Sequence, residues 1–578
     1  MQNTLVRRFI VAPSFEIYGG VAGLFDLGPV GCQLRHNIID LWRNMFVVED
    51  DLFEIQCTNL VPEVVLKASG HIAKFADLMV KDSKTGECFR ADKIIEQFLE
   101  KLAEAEKNEE AKNKIQIDIN SADGLNIQDT AALIAKYNIV SERGNPLSEP
   151  FPFNLMFATS IGPDGRAPAY LRPETAQGIF MNFKRGLEQS RSLPFGIAQI
   201  GSAFRNEIAP RGGLLRVREF EQAEIEYFIQ NREAGHPHYK EIEDVSCNFF
   251  TSDAQLAGTQ PVVLTIKEAV TQKVLAHESL AYYIARIYMF LTRLGLDSQK
   301  LRFRQHMPKQ LAHYAKDCWD CDCLLNSGWT EIVGVADRSA FDLEVHSKAS
   351  GQDLSAFIQY DTPVEVEQAK CKAVMKFIAK AHKQNAQGIK KYLEESDMNV
   401  ILQIKTELEN NQKTIVQGCE ITPEMCEFTV GKCMKYGENV IPIVIEPSIG
   451  IGRVLHCILE HTFYQRDEQR TSFKFPIAIS PIKLGITTLQ NDDRINPIAQ
   501  KLVRECRKAG IMCKQDDSAV AIGKKYARFD EIGVSYVATI DFDTLEDKKV
   551  TIRERDSMQQ ERVNLDQLIQ TLLNKIKE

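Results

Sequence analysis

The chain has 578 residues, 44% apolar and 26% charged, which is the composition of a folded protein of several domains and excludes a disordered or fibrous one. A formal net charge of -9 argues against a general polyanion binder, because non-specific nucleic-acid affinity comes from lysines and arginines neutralising phosphates. From Pro476 onward 17 Lys and Arg stand against 16 Asp and Glu, and before it 53 against 63, so RNA binding would need local patches and DNA is not an expected partner. Fourteen scattered cysteines without a secretory leader read as reduced thiols of a cytosolic protein rather than a disulfide framework. No apolar run is long enough to span a membrane, so the expected location is the cytoplasm, with a mitochondrial isoform from another start codon left open.

In chain order, glycine punctuation over Gly19-Gly20, Gly23, Gly28-Pro29 and Gly31 gives way to apolar residues at helical spacing, Leu34, Ile38, Ile39, Leu41, Trp42, Met45 and Phe46, which predict a long amphipathic helix. A strand follows from Phe53 to Thr58, halted at Pro62. Residues 93–150 turn rich in Lys, Glu and Ala and read as a solvated helical insertion. Residues 232–300 and 346–440 carry no chemical motif and read as further insertions. After Phe475-Pro476 the texture alternates, with strands at Ile477-Ala-Ile, Val537-Ala-Thr-Ile and Lys549-Val-Thr-Ile and helices near Ile495 to Ala509 and Leu565 to Ile576, an α/β domain of about 100 residues.

Two blocks carry chemistry. Phe204-Arg-Asn-Glu207 runs on through Arg211, Arg216 and Arg218 to Glu224, and Glu446-Pro-Ser-Ile-Gly-Ile-Gly ends on Arg453. Arginine is the residue for this pattern because its planar, permanently charged fork matches phosphate oxygens. Either block alone could be filler: Arg-Asn-Glu arises by chance, Gly450-Ile-Gly-Arg453 can open any helix, and Glu446-Pro-Ser can be a capped turn. Their order, after a helix and strand ending in proline and before an α/β tail, resembles motifs 1, 2 and 3 of the class II aminoacyl-tRNA synthetases, and the surrounding residues look like the glycyl family of eukaryotic and archaeal type. The likeness runs from Arg7-Arg-Phe to Arg555-Asp-Ser-Met and is looser in the insertions. The likeness begins at Arg7, so the helical extension that some relatives carry before it is not expected.

The resemblance implies an α+β catalytic domain, an antiparallel sheet with helices, carrying insertions and followed by a C-terminal α/β anticodon-binding domain. It divides the chain into catalytic segments at 1–92, 151–231, 301–345 and 441–475, insertions at 93–150, 232–300 and 346–440, and an anticodon-binding domain at 476–578. It implies a homodimer using ATP with Mg2+, glycine and tRNA(Gly). Arg205 would hold the α-phosphate and Arg453 the γ-phosphate, with Glu207 as the third catalytic residue. Asn206, Glu207, Arg216, Val217, Glu331 and Ile332 would border the nucleotide. Glu174, Glu224, Glu446, Pro447 and Ser448 would hold glycine, whose ammonium asks for closely paired carboxylates. Lys524, Lys525 and Arg528, with Tyr526 among them, resemble a tRNA-contacting segment, and a plain solvated helix is the alternative. Cys318, Cys321 and Cys323 are close in sequence but lack a second ligand pair, so no structural zinc is expected. Two rival readings remain at this point: a non-catalytic synthetase-like binding protein of the polymerase accessory type, and another class II ligase such as prolyl or threonyl.

Overall fold

The computed structural model describes residues 1–122, 124–210, 212–468 and 470–577, the side chains of Asn120 and Lys577 aside; Arg211 of the motif 2 run lies outside the described residues. The chain forms two compact units, one of residues 1–354 with 441–578 and one of residues 355–440.

The larger unit is built on a nine-stranded sheet. Its strands stand in the order Val262–Thr265, Ser246–Phe250, Leu301–Gln305, Asp317–Leu325, Gly328–Ser339, Ile443–Gly450, Glu219–Ile229, Phe195–Phe204, Phe53–Glu54. All neighbours from Leu301–Gln305 to Phe195–Phe204 pair antiparallel. The motif 1 helix spans Pro29–Trp42, with Pro29 at its first position, and continues as a π-helical turn over Arg43–Val48. It packs with helices Glu278–Arg293 and Ile451–Thr462 into the main core, where Trp42, Phe46, Tyr283, Phe290 and Leu455 are buried.

Two expectations change. The strand over Phe53 to Thr58 is split into Phe53–Glu54 and Leu60–Pro62, because side chains intercept the backbone between them: Cys57 N donates to Gln199 Oε1 at 2.7 Å and Cys57 O accepts from Arg172 Nη1 at 3.1 Å. Residues 232–300, which carry no chemical motif, supply two strands of the nine-stranded sheet and the buried helix Glu278–Arg293. Ile477-Ala-Ile is not a strand: Lys483 Nζ donates to the Ile477 and Ala478 carbonyls at 2.7 and 2.8 Å, and Asn37 Nδ2 donates to those of Ile479 and Ser480, both at 2.9 Å.

Helices Ala91–Ala105, Glu109–Ser121 and Ile127–Tyr137 bury Ile95, Leu99, Ile115 and Leu133 among themselves. The C-terminal domain is a five-stranded sheet in the order Cys513–Asp516, Leu484–Thr488, Tyr536–Ile540, Lys549–Glu554, Gln560–Asn564, with the first three parallel. It shares the main core through Phe529, Ile532, Val534 and Val537. The smaller unit is a two-stranded ribbon, Ala356–Ala373 against Cys426–Val440, covered by three helices that bury Ile378, Ile389, Leu393, Ile401 and Ile404. Among the described residues no helix is long and apolar enough to cross a membrane.

Candidate active site

The two-residue period of a strand decides what reaches the site. Along Glu219–Ile229, Ala223, Ile225, Tyr227 and Ile229 point into the main core, which leaves Gln222, Glu224 and Glu226 on the opposite face. The neighbouring strand Ile443–Gly450 pairs Glu224 with Ser448, so Glu446 and Ser448 share that second face and Pro447 between them turns away. Glu174 comes from the loop before helix Ala176–Met181. The loop is pinned by the buried Arg172, whose Nε donates to Ser202 O at 2.7 Å, and a Cβ on Gly201 would lie 2.0 Å from the Arg172 guanidinium.

These side chains line a cavity of about 230 Å³. Arg205, Glu207, Arg216, Glu331 and Arg453 line both this cavity and a wider one, whereas Glu174, Glu224, Glu446 and Ser448, with Val217 and Ile332, line the smaller one alone. Asn206 and Pro447 are not among its walls; Asn206 lies alongside, with its backbone N–H donating to Leu155 O at 2.7 Å.

The acidic end is held by a dense network. Glu224 accepts from Thr175 N at 2.8 Å, from Thr175 Oγ1, from Gln222 Nε2 at 2.9 Å and from Ser448 Oγ at 2.8 Å. Burial, then the negative charge of Glu174, raise its carboxyl above the usual range. Glu446 accepts from Arg338 Nη1 at 2.9 Å, yet burial pushes it up to about 8. Burial opposes the charge on Glu174 too, but there His71 at 3.3 Å, together with Arg338 and Gln177, wins and holds the group below the usual carboxylate range. Arg338 is 1% exposed, donates to both oxygens of Asp342 at 2.8 and 3.0 Å and lies 3.9 Å from the Tyr314 ring centroid. A small cation with several N–H donors suits such a pocket; an anion does not.

The basic end is the complement. The Arg205 guanidinium sits 5.2 Å from the Phe75 ring and 5.3 Å from the Phe220 ring, with Nε donating to Pro173 O at 3.1 Å, so its fork is fixed in plane. Arg453 lies in the first turn of helix Ile451–Thr462, and its Nη1 meets Glu331 Oε1 at 3.0 Å. Glu207 Oε2 is buried without a hydrogen-bond partner, 3.9 Å from Arg216 Nε. Arg205, Arg216 and Arg453 also border a wider cavity of about 650 Å³ that adds Arg90, Lys93, Arg302 and Arg304. A polyphosphate fits this lining by charge.

The three cysteines do not converge. Cys318 Sγ lies 3.8 Å from His306 Nε2, Cys321 is buried in the core, and Cys323 Sγ lies 3.4 Å from His461 Nε2. His306, Cys318 and Asp320 are, among the described residues, the one group with donor atoms within 4.8 Å of one another. Arg304 Nη2 at 2.6 Å and His306 Nε2 at 2.7 Å already occupy Asp320 Oδ2.

The C-terminal basic trio is divided. Lys524 is exposed, and Arg528 is paired with Asp516 at 3.2 Å. Lys525 is 3% exposed and donates to Thr488 O at 3.1 Å, so it cannot contact RNA; it falls on the helix face that packs on the sheet. Thr175, Gln177, Gln222, His71, Tyr314 and Arg338 are parts of the site that sequence reasoning did not single out. Thr175, Gln177 and Gln222 lie within the segments that carry Glu174 and Glu224, and Arg338 closes the segment that carries Glu331.

Residues 161–462 match the family model described as "tRNA synthetase class II core domain (G, H, P, S and T)", and residues 478–575 match the one described as "Anticodon binding domain". These define a class II aminoacyl-tRNA synthetase. Glycine–tRNA ligase of Bombyx mori is 44% identical over 574 residues, 97% of this chain and 78% of that protein; that of Drosophila melanogaster is 45% identical over 583 residues, 98% and 76%. The chain belongs to the glycine–tRNA ligase family. In fold it is similar to the Giardia lamblia prolyl-tRNA synthetase solved with prolyl-adenylate, at a TM-score of 0.51 and 13% identity over 100% of this chain and 78% of that one.

Proposed function

We propose that the protein activates glycine with ATP and transfers it to the 3′ end of tRNA(Gly), and that Glu174, Glu224 and Glu446 receive the glycine ammonium while Arg205 and Arg453 receive the phosphates. The observation that carries the assignment is the opposition of charge across one small cavity, with three buried glutamates at one end and the arginine forks at the other. A zwitterion placed between them has its carboxylate directed at the nucleotide. One carboxylate oxygen attacks the α-phosphorus and pyrophosphate leaves, giving glycyl-adenylate; a tRNA ribose hydroxyl then attacks the glycyl carbonyl and AMP leaves. The protein's part is positioning and charge stabilisation, since the arginines stand where negative charge builds up.

Mg2+ bound with ATP would neutralise phosphate charge. The residues fit it: the Glu331 carboxylate at the cavity wall, met at Oε1 by Arg453, and Glu207 Oε2, which accepts no hydrogen bond, are hard oxygen donors. Exclusion of alanine would be steric, because a methyl group must enter a filled pocket. Dimerisation is supported by the apolar residues exposed just before the motif 1 helix, Phe15, Ile17, Tyr18 and Val21, with Ile17 89% and Tyr18 84% exposed.

Pyrophosphate exchange measured with a panel of amino acids tests the reading. Exchange should depend on glycine and be absent with alanine, serine, proline and threonine. Exchange with proline or threonine, and not glycine, would overturn it.

A further inference from the structure

Behind the cavity wall stands a group the mechanism above does not use. Glu226 is fully buried, 0% exposed, and neither carboxylate oxygen has a hydrogen-bond partner. The register Glu224↔Ser448 and Tyr227↔Ile445 places it directly across the strand pair from Glu446, with both side chains on one face. Two carboxylates opposed in this way repel, and a buried pair of like acids keeps one proton between them.

The surrounding charges make that proton necessary. Glu224 lies two residues away on the same strand face. Arg338, from the strand Gly328–Ser339, is the guanidinium that reaches this face, and it is already divided between Asp342 of the helix Phe341–Ser350 and Glu446, 3.9 Å from Glu174. Beyond Glu174 lies His71, and His346 of the same helix faces Gln177. Five carboxylates thus share the Arg338 guanidinium and the His71 imidazole, with the Arg172 guanidinium acting on Glu224 alone and the Tyr314 phenol lying beside Arg338, Glu446 and Glu174. Burial, then Glu446, push the Glu226 carboxyl well up, against the pull of Arg338.

We propose that Glu226 and Glu446 share one proton in the glycine-free enzyme and that the incoming glycine ammonium displaces it, so that each glycine bound releases about one proton to solvent. The step is an acid–base exchange: the O–H bond of the acid breaks, the proton leaves to water, and the ammonium takes over the positive charge beside Glu446. Glu226 is therefore a positioning residue, acting through Glu446. This rests on the glycine reading of the cavity.

Calorimetric titration of the full-length protein with glycine, at one pH in two buffers of different ionisation enthalpy, counts the protons directly. About one proton released per glycine is expected near pH 7, together with a glycine KM that falls by up to tenfold per pH unit between pH 6 and 8 while the ATP KM stays level. In Glu226→Gln, which keeps the shape of the protonated acid, the count should drop to near zero and the glycine KM should become level with pH, at an unchanged melting temperature. Glycine binding with no proton released by the native protein would overturn the exchange and leave the glycine reading intact. No glycine binding at all would overturn both. An undiminished proton count in a well-folded Glu226→Gln would also overturn the exchange.

Discussion

Ser448 Oγ donates to Glu224 Oε1 at 2.8 Å across the paired strands Glu219–Ile229 and Ile443–Gly450. Two sequence blocks more than 200 residues apart are thereby joined at one carboxylate. The serine does not need to touch glycine to matter, since it fixes the carboxylate proposed to receive the ammonium. Ser448→Ala removes one hydrogen bond to a charged acceptor, a loss of about 1.5 kcal/mol or roughly tenfold. The glycine KM should rise about tenfold with little change in the ATP KM, as read by pyrophosphate exchange; equal rises in both would deny the link.

Arg205 and Arg453 reach the cavity from different elements, the end of the strand Phe195–Phe204 and the first turn of helix Ile451–Thr462. Each Arg→Ala variant should lower the rate of adenylate formation by about a hundredfold, roughly 3 kcal/mol for one preorganised donor, while retaining the fold. Single-turnover formation of adenylate, with a thermal melt on each variant, checks this.

Lys524 and Lys525 are neighbours with opposite fates. Lys525→Ala leaves the buried Thr488 carbonyl with only the 3.4 Å contact from Thr487 Oγ1 and should cost about 1–3 kcal/mol of stability, visible in a melt. Lys524→Ala and Arg528→Ala should leave the melt within a degree or two, weaken tRNA charging and flatten the salt dependence of tRNA binding. Full charging by the Lys524/Arg528 double variant at an unchanged salt slope would remove this helix from the tRNA surface.

His236 gives the body a pH limit. It stacks on Tyr282 at 3.6 Å between centroids, and burial, with smaller pushes from His238 and Arg286, lowers it from 6.5 to about 3. Between those values the unfolded chain takes up a proton that the folded chain refuses. Stability from this group is therefore present above pH 6.5 and lost as pH falls toward 3, by up to about 1.4 kcal/mol per pH unit. His236→Phe should show a shallower fall in melting temperature between pH 6.5 and 4.5 than the native protein.

How much of this was legible depended on whether a residue's role is local. The motif 1 helix, the C-terminal helices and the strands at Val537 and Lys549 follow from periodicity, which acts over a few residues. The split of the strand at Cys57 did not, because Gln199 and Arg172, distant in sequence, bind its backbone. Arg338 carries no signal of its own in the sequence, since its meaning lies in the burial of Glu446 and Asp342 around it. Lys525 was misread as a surface charge because a basic run looks alike on either face of a helix until the sheet beneath it is known. Residues 232–300 read as an insertion because structural strands and a buried helix carry no chemical signature.

The central claim is that the glutamates at one end of the cavity bind an ammonium, and binding of paired non-hydrolysable adenylate analogues tests it most directly. A glycyl-sulfamoyl adenosine and its hydroxyacetyl counterpart differ only in ammonium against hydroxyl. The glycyl compound should bind about a hundredfold more tightly, roughly 3 kcal/mol for a desolvated charge met by buried carboxylates, and Glu224→Gln should erase most of that difference while sparing the hydroxyacetyl compound. Equal affinity of the two compounds for the native protein would contradict the account.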